Sequence, residues 1–125
     1  MKFLVVDDNR LLNQFLVTYL NSKGHDCDAL TDGSKVDSWL DLNPCDAIVL
    51  DIGMPKVDGI SLISIIRARF PDVPIIIFTG MGYEEDLMQA ARQAGANGYV
   101  SKGLGPGEIY SALMRVLHQH PQAAH

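Results

Sequence analysis

FLVVDD, residues 3–8, runs apolar for four positions and ends in two acids, and AIVLD, residues 47–51, ends in one. Short runs of Val, Ile and Leu that stop at polar, turn-forming residues read as strands buried on both faces, the pattern of a parallel sheet. Open sheets of that kind gather ligands outside the carboxyl ends of their strands. With these two strands as neighbours, Asp7, Asp8 and Asp51 share one crevice. Carboxylates held that close repel and bind protons rather than stay ionised. A hard divalent cation removes the conflict, and Mg²⁺ suits one or two carboxylates completed by phosphate oxygens. The pattern predicts a metal-assisted phosphate site.

Outward from these runs, strand-like and helix-like segments alternate. Leu11, Leu12, Phe15, Leu16, Tyr19 and Leu20 form a helical stripe that Gly24 stops. A second strand is expected over Cys27–Leu30, then a helix capped by Thr31 or Asp32 that carries Val36, Trp39 and Leu40. Asn43-Pro44 ends it ahead of the third strand, Ala47–Leu50. Gly59 to Phe70 is apolar on several faces and predicts a largely buried helix. Pro71 and Pro74 bracket the turn into a fourth strand, Ile75–Phe78. Glu84, Glu85 and Asp86 suit the first turn of a helix with Leu87, Ala90, Ala91 and Ala94 inward and Gly95 at its end. Asn97–Val100 reads as a fifth strand, and a last helix begins near Pro106 with Ile109, Leu113, Val116 and Leu117 inward. Five such units predict an α/β, doubly wound, flavodoxin-like fold: a five-stranded parallel sheet, order 2-1-3-4-5, with five helices. Residues 1–120 form one domain in this reading, and 121–125 a tail or linker stub.

Composition narrows the classes. The 125 residues are 47% hydrophobic and 20% charged, which is globular and large enough for a real core. A formal charge of -5 argues against direct nucleic acid binding by this domain, which needs clustered cations. MKFLVVDD is too short in its apolar part for a signal peptide, and no stretch approaches the roughly 20 apolar residues of a membrane span. Cys27 and Cys45 lack metal-ligand spacing and read as reduced, structural thiols. A cytoplasmic protein is the expectation. His25, His118 and His120 stand apart from the acids in sequence and read as solvated.

The chain resembles the receiver domain of bacterial two-component response regulators over essentially its full length. The matching marks follow four strands: Asp7-Asp8, then Asp51-Ile52-Gly53-Met54-Pro55-Lys56-Val57-Asp58-Gly59, then Thr79-Gly80, then Tyr99-Val100-Ser101-Lys102. Each alone is weak; together, in order and at matching spacing, they are strong. The resemblance implies that Asp51 accepts a phosphoryl group from a phosphohistidine on a sensor histidine kinase or histidine phosphotransfer protein. It implies Mg²⁺ (or Mn²⁺) held by Asp8, Asp51 and the Gly53 carbonyl, with Asp7 acting directly or through water. Lys102 and Thr79 would meet the phosphoryl oxygens. Thr79 and Tyr99 would form the switch, changing the face of the fourth helix, fifth strand and fifth helix for an output domain, a target protein or a second copy. The first helix, with Arg10, Asn13, Gln14, Val17 and Thr18 outward, would dock the kinase. The domain would catalyse only its own phosphorylation and dephosphorylation, and so is not a turnover enzyme.

Two departures and three rivals bear on this expectation. The family usually follows its lysine with a cis proline; here Gly103 predicts a trans bond, since cis costs roughly 3 kcal/mol before a non-proline residue. Gly53 and Met81 offer no amide or carboxylate to orient a hydrolytic water, which predicts slow to moderate self-dephosphorylation. An aspartate-nucleophile phosphatase would need an acid at position 53. A flavin or nucleotide binder would need a Gly-rich or hydroxyl-rich loop after the first strand, where Asp7-Asp8 stand instead. A receiver-like docking module insensitive to phosphate would not need the complete acceptor set.

Overall fold

The computed structural model describes residues 1–53, 58–80 and 84–119. The strands are β1 (Lys2–Val6), β2 (Asp26–Leu30), β3 (Ala47–Leu50), β4 (Ile75–Thr79) and β5 (Gly98–Ser101). The helices are α1 (Arg10–Ser22), α2 (Val36–Leu42), α3 (Gly59–Arg69), α4 (Glu85–Ala94) and α5 (Pro106–Gln119). All strand pairs are parallel, in the order β2-β1-β3-β4-β5, as the sequence predicts. Strand bounds differ from expectation by one residue at five ends. Lys2 joins β1, Asp26 joins β2, Thr79 joins β4, and β5 is shifted one residue later to include Ser101.

Alternation along each strand sends side chains to two cores. Phe3, Val5, Val49, Ile76 and Phe78 meet Leu16 and Leu20 of α1 and Ile109, Leu113 and Val116 of α5. Leu4, Val6, Ile48, Leu50, Ile75 and Ile77 meet Val36 and Leu40 of α2, Leu62, Ile63 and Ile66 of α3, and Ala91 of α4. Both faces of the sheet are covered, which is why β1, β3 and β4 read as unbroken apolar runs. The layering leaves the carboxyl ends of the strands as the open rim where loops converge.

Local signals explain the helix bounds. Asn9 caps α1 by accepting the Leu12 N–H at 3.1 Å, and Asp32 caps a single 3₁₀ turn, Gly33–Lys35, that leads into α2. Asp58 caps α3, its Oδ1 accepting the Ile60 N–H at 3.1 Å. Gly95 ends α4 at φ +123, a conformation that favours glycine. Its carbonyl accepts from the Arg67 guanidinium at 2.8 Å, which also reaches Phe70, Pro71 and Asn97.

Five side chains lie differently from expectation. One is Ile65, which is exposed on the outer face of α3, so that helix is buried on one side and not all round. Leu11 and Phe15 are exposed, at 78% and 52%, while Asn13 is buried at 3%. The six-residue stripe is wider than the roughly 100° face a helix buries. Leu16 and Leu20 centre the inner face, Leu11 falls on the far side, and Asn13 takes an inward place because its amide finds carbonyl partners. His25 is only partly exposed: it packs against the rings of Phe3 and Tyr110, with centroids 5.1 Å and 5.9 Å away. Burial, and then the N-terminal ammonium, hold its pKa below the ordinary histidine value. His118 is exposed as expected, and His120 with the 121–125 tail lies outside the described residues.

Cys27 and Cys45 are free thiols, each pushed up to about 12 by burial, so neither is a reactive thiolate. Among the described residues no helix is long and apolar enough to cross a membrane.

Candidate functional site

The carboxyl ends of β1 and β3 are adjacent, with Val6 beside Leu50 in register. The next residues, Asp7 and Asp51, therefore emerge side by side. Asp7 is 1% exposed and Asp51 5%, whereas Asp8 faces solvent. Oxygens of Asp7, Asp8 and Asp51 all lie within 4.8 Å of one another, so the crevice inferred from FLVVDD and AIVLD exists.

Backbone contacts aim these acids. The Asp7 N–H donates to the Leu30 carbonyl at 3.1 Å and the Asp51 N–H to the Val6 carbonyl at 2.9 Å, continuing the sheet's ladder by one residue. Asp7 Oδ1 accepts the Asn9 N–H at 2.9 Å, and Asp51 Oδ1 accepts the Gly53 N–H at 2.9 Å. Lys102, just past β5, brings its ammonium to 2.6 Å from Asp7 Oδ2 and 3.3 Å from Asp51 Oδ2. Thr79 ends β4, fully buried, opposite Ser101 in the β4–β5 register. Tyr99 sits opposite Ile77, its ring against the α3–α4 core and its hydroxyl oxygen enclosed.

The electrostatics follow from that geometry. Burial raises the pKa of Asp51; the Gly53 N–H opposes it, the Asp7 charge adds to it, and Lys102 opposes it. Burial pulls Lys102 down, but its hydrogen bond to Asp7 and the charges of Asp51 and Asp7 outweigh that, and the net shift is upward. One ammonium thus balances two buried acids and leaves a third, exposed acid beside them. That donor set fits a hard divalent cation: oxygen ligands only, an excess of negative charge, and an open side at Asp8.

The family model for the response regulator receiver domain matches residues 3–114. The chain belongs to this family. Among curated proteins, the receiver is similar to the virulence transcriptional regulatory protein PhoP of Salmonella typhimurium, 30% identical over 120 residues, covering 96% of this chain and 53% of that protein. It is similar to the transcriptional regulatory protein BasR of Escherichia coli at 29% identity, covering 96% of this chain and 54% of that protein. The chain thus spans about half the length of the curated relatives it matches. Among solved structures, the receiver domain of the Francisella response regulator 1452 superposes with a TM-score of 0.84 at 29% identity, covering 94% of this chain and 97% of that one.

The acidic cluster is therefore the phospho-accepting aspartate site of a receiver, built to coordinate a divalent metal such as Mg²⁺. Receivers catalyse only their own phosphorylation and dephosphorylation, and this is the class to which the fold and site belong.

The structure brings Asp7, Asp8, Asp51 and Lys102 together, and places Thr79 and Tyr99 on the adjoining strands. At Gly53 the group it shows engaged is the N–H, held by Asp51. Met54 to Val57 and Met81 lie outside the described residues. The Lys102–Gly103 bond is trans, as predicted, and a 3₁₀ turn over Lys102–Leu104 follows β5. Sequence reasoning missed Asn9 and wrongly set Asn13 on the outward, kinase-docking face of α1, where the structure buries it. The signal for Asn9 was its position as a capping residue directly after the acids. For Asn13 no local signal pointed inward, since its carbonyl partners, Asp7 and Leu30, come from the ends of two strands.

Proposed function

We propose that residues 1–120 form a phosphoacceptor unit in which Asp51 takes a phosphoryl group from a phosphohistidine on a sensor histidine kinase or phosphotransfer protein. An Asp51 oxygen forms the new O–P bond as the donor's N–P bond breaks, and that bond's electron pair stays on the histidine ring. A bound divalent cation supplies charge neutralisation for the acceptor and the phosphoryl oxygens. Asp8 and Asp51 would hold it, with Asp7 behind them and the Gly53 carbonyl as a further ligand. Lys102 turns from the acids to the phosphoryl oxygens, and the Thr79 hydroxyl donates to another of them. Tyr99, on the strand beside Thr79, carries the change to the surface of α4, β5 and α5, where an output domain, a target or a second copy would bind. Exposed Leu11 and Phe15 on α1, with Gln14 and Thr18, line a groove of about 580 Å³ suited to the donor.

The observation that carries this reading is the Lys102 ammonium held between Asp7 and Asp51 within an otherwise acidic cluster. The test is intact mass after incubation with acetyl phosphate, with and without Mg²⁺. One added phosphoryl group that requires Mg²⁺ is the expected result; no adduct in either condition would leave a docking module insensitive to phosphate. With Gly53 and Met81 offering no amide or carboxylate to a water, the adduct should persist for minutes or longer. A lifetime of seconds would show that another group orients the water.

Replacing Lys102 with methionine should separate two functions. The acids lose the ammonium that competes for them, so Mg²⁺ affinity rises. The phosphoryl oxygens lose their cation in the transition state, and the transfer rate falls by about 100-fold. Metal titration and stopped-flow phosphorylation read the two changes independently.

A further inference from the structure

We infer that Asn13 is a positioning residue for the divalent-cation site, holding the peptide that joins Asp7 to Asp8. Asp7 is gripped from both sides. Its N–H donates to the Leu30 carbonyl at 3.1 Å, and its own carbonyl accepts the Asn13 amide Nδ2 at 2.7 Å. The same Nδ2 reaches the Leu30 carbonyl at 3.3 Å. One side-chain amide therefore ties the ends of β1 and β2 to the first turns of α1.

The consequence for the acids is geometric. A peptide unit is planar, so fixing the Asp7 carbonyl oxygen fixes the direction of the Asp8 nitrogen and Cα. Asp8 is the exposed member of the cluster, and this peptide leads directly into it. Asp7 is restrained in turn, since its Oδ1 accepts from the Asn9 N–H in the same loop. Groups that orient a metal's ligands without touching the metal commonly contribute 10–100-fold to its affinity.

A second observation separates this role from packing. Asn13 is 3% exposed, yet its Oδ1 is enclosed with no donor among the described residues. An enclosed carbonyl oxygen without a donor lowers stability. Side chains chosen only to fill the α1–sheet core, as Leu16 and Leu20 are, carry no such atom. The NH₂ group explains the choice: its two protons can serve two carbonyls, which aspartate, serine and leucine cannot do.

This inference rests on the metal-site reading above, and the experiment distinguishes the two. Mn²⁺ is titrated into wild type, Asn13→Leu and Val116→Ala, with free Mn²⁺ read by its electron paramagnetic resonance signal and no phosphodonor present. Thermal unfolding in chelator gives each variant's stability without metal. Val116→Ala removes core packing on α5 but no hydrogen bond of the acid site. Asn13→Leu is expected to weaken Mn²⁺ binding about tenfold, while Val116→Ala leaves it unchanged. If Asn13→Leu binds Mn²⁺ as wild type does, or if both variants weaken it alike, the positioning role is overturned. Wild type that binds no Mn²⁺ overturns the site and this inference with it. Should Asn13→Leu fail to fold, Asn13→Ala, which leaves room for a water, serves the same comparison.

Discussion

Asp51→Asn is expected to abolish phosphoryl uptake from acetyl phosphate while raising the melting temperature at neutral pH. Loss of uptake follows from chemistry: an amide is neutral and a poor nucleophile, and no neighbouring acid can replace it. Asp7 is enclosed and tied to Lys102 and Asn9, and Asp8 points to solvent. The gain in stability follows from linkage. The folded state raises the pKa of Asp51, chiefly by burial, so the ionised carboxylate is less favourable there than in the unfolded chain. A raised carboxylate favours folding at low pH, and that advantage is lost as pH rises through the folded value. The variant's advantage is therefore full above that raised value and vanishes below the ordinary aspartate range. Differential scanning calorimetry across pH 4 to 8 reads the stability, at about that range of buffers, and intact mass reads the phosphoryl group. A melting temperature that falls at neutral pH would show that the Lys102 and Gly53 contacts outweigh burial.

Gly59→Ala should cost about 3 kcal/mol of stability, a fall of ~10 °C in melting temperature for a domain of this size. A Cβ at Gly59 would stand 2.3 Å from Ile52 Cα, 2.6 Å from its Cβ and 2.8 Å from its Cγ2. The first of these is backbone, which no rotamer change can move. Ile52 directly follows Asp51, and Asp58 fixes the start of α3 through the Ile60 N–H and the Ser61 hydroxyl. The strain is thus confined between the acceptor's peptide and a capped helix. Phosphorylation of the surviving folded fraction should slow as well. Gly107→Ala is the control: its Cβ would meet only the Tyr19 hydroxyl at 3.7 Å, an ordinary contact, so the melting temperature should hold or rise slightly. Equal behaviour of the two variants would show that Ile52 yields.

Much of the fold was legible because a doubly covered parallel sheet writes itself as continuous apolar runs. Ala47–Leu50 and Ile75–Phe78 have no polar alternation to interpret, and each run ends at a polar residue, Asp51 or Thr79. Pro106 marked the first residue of α5 for a local reason, its fixed φ. The site was legible to the extent that it lies on strand ends, since topology alone brings Asp7, Asp8 and Asp51 together. What escaped were contacts decided in three dimensions. Nothing near Asn13 in sequence shows that two strand-end carbonyls would draw its amide inward. Leu11 and Phe15 look like core by type, and only the angle of α1 on the sheet turns them out. His25 follows a turn glycine, and its aromatic partners come from β1 and α5, 22 residues and 85 residues away in the chain.

Among the described residues, the order of the strands leaves β2 and β5 with one unpaired side each. Such edges invite another chain to add its backbone, the first step toward aggregation. Here β2 carries exposed Asp26 and Asp28, the latter paired with Lys2. A neighbouring β2 edge would bring like charges together along the strand. β5 is only four residues long, and Asn97 before it turns its side-chain oxygen to the Ile75 N–H and Arg67. Charge guards one edge and brevity the other. A domain guarded this way is poorly suited to meet other molecules through backbone pairing, and its helix faces become the surfaces on which recognition can evolve without the hazard of fibres.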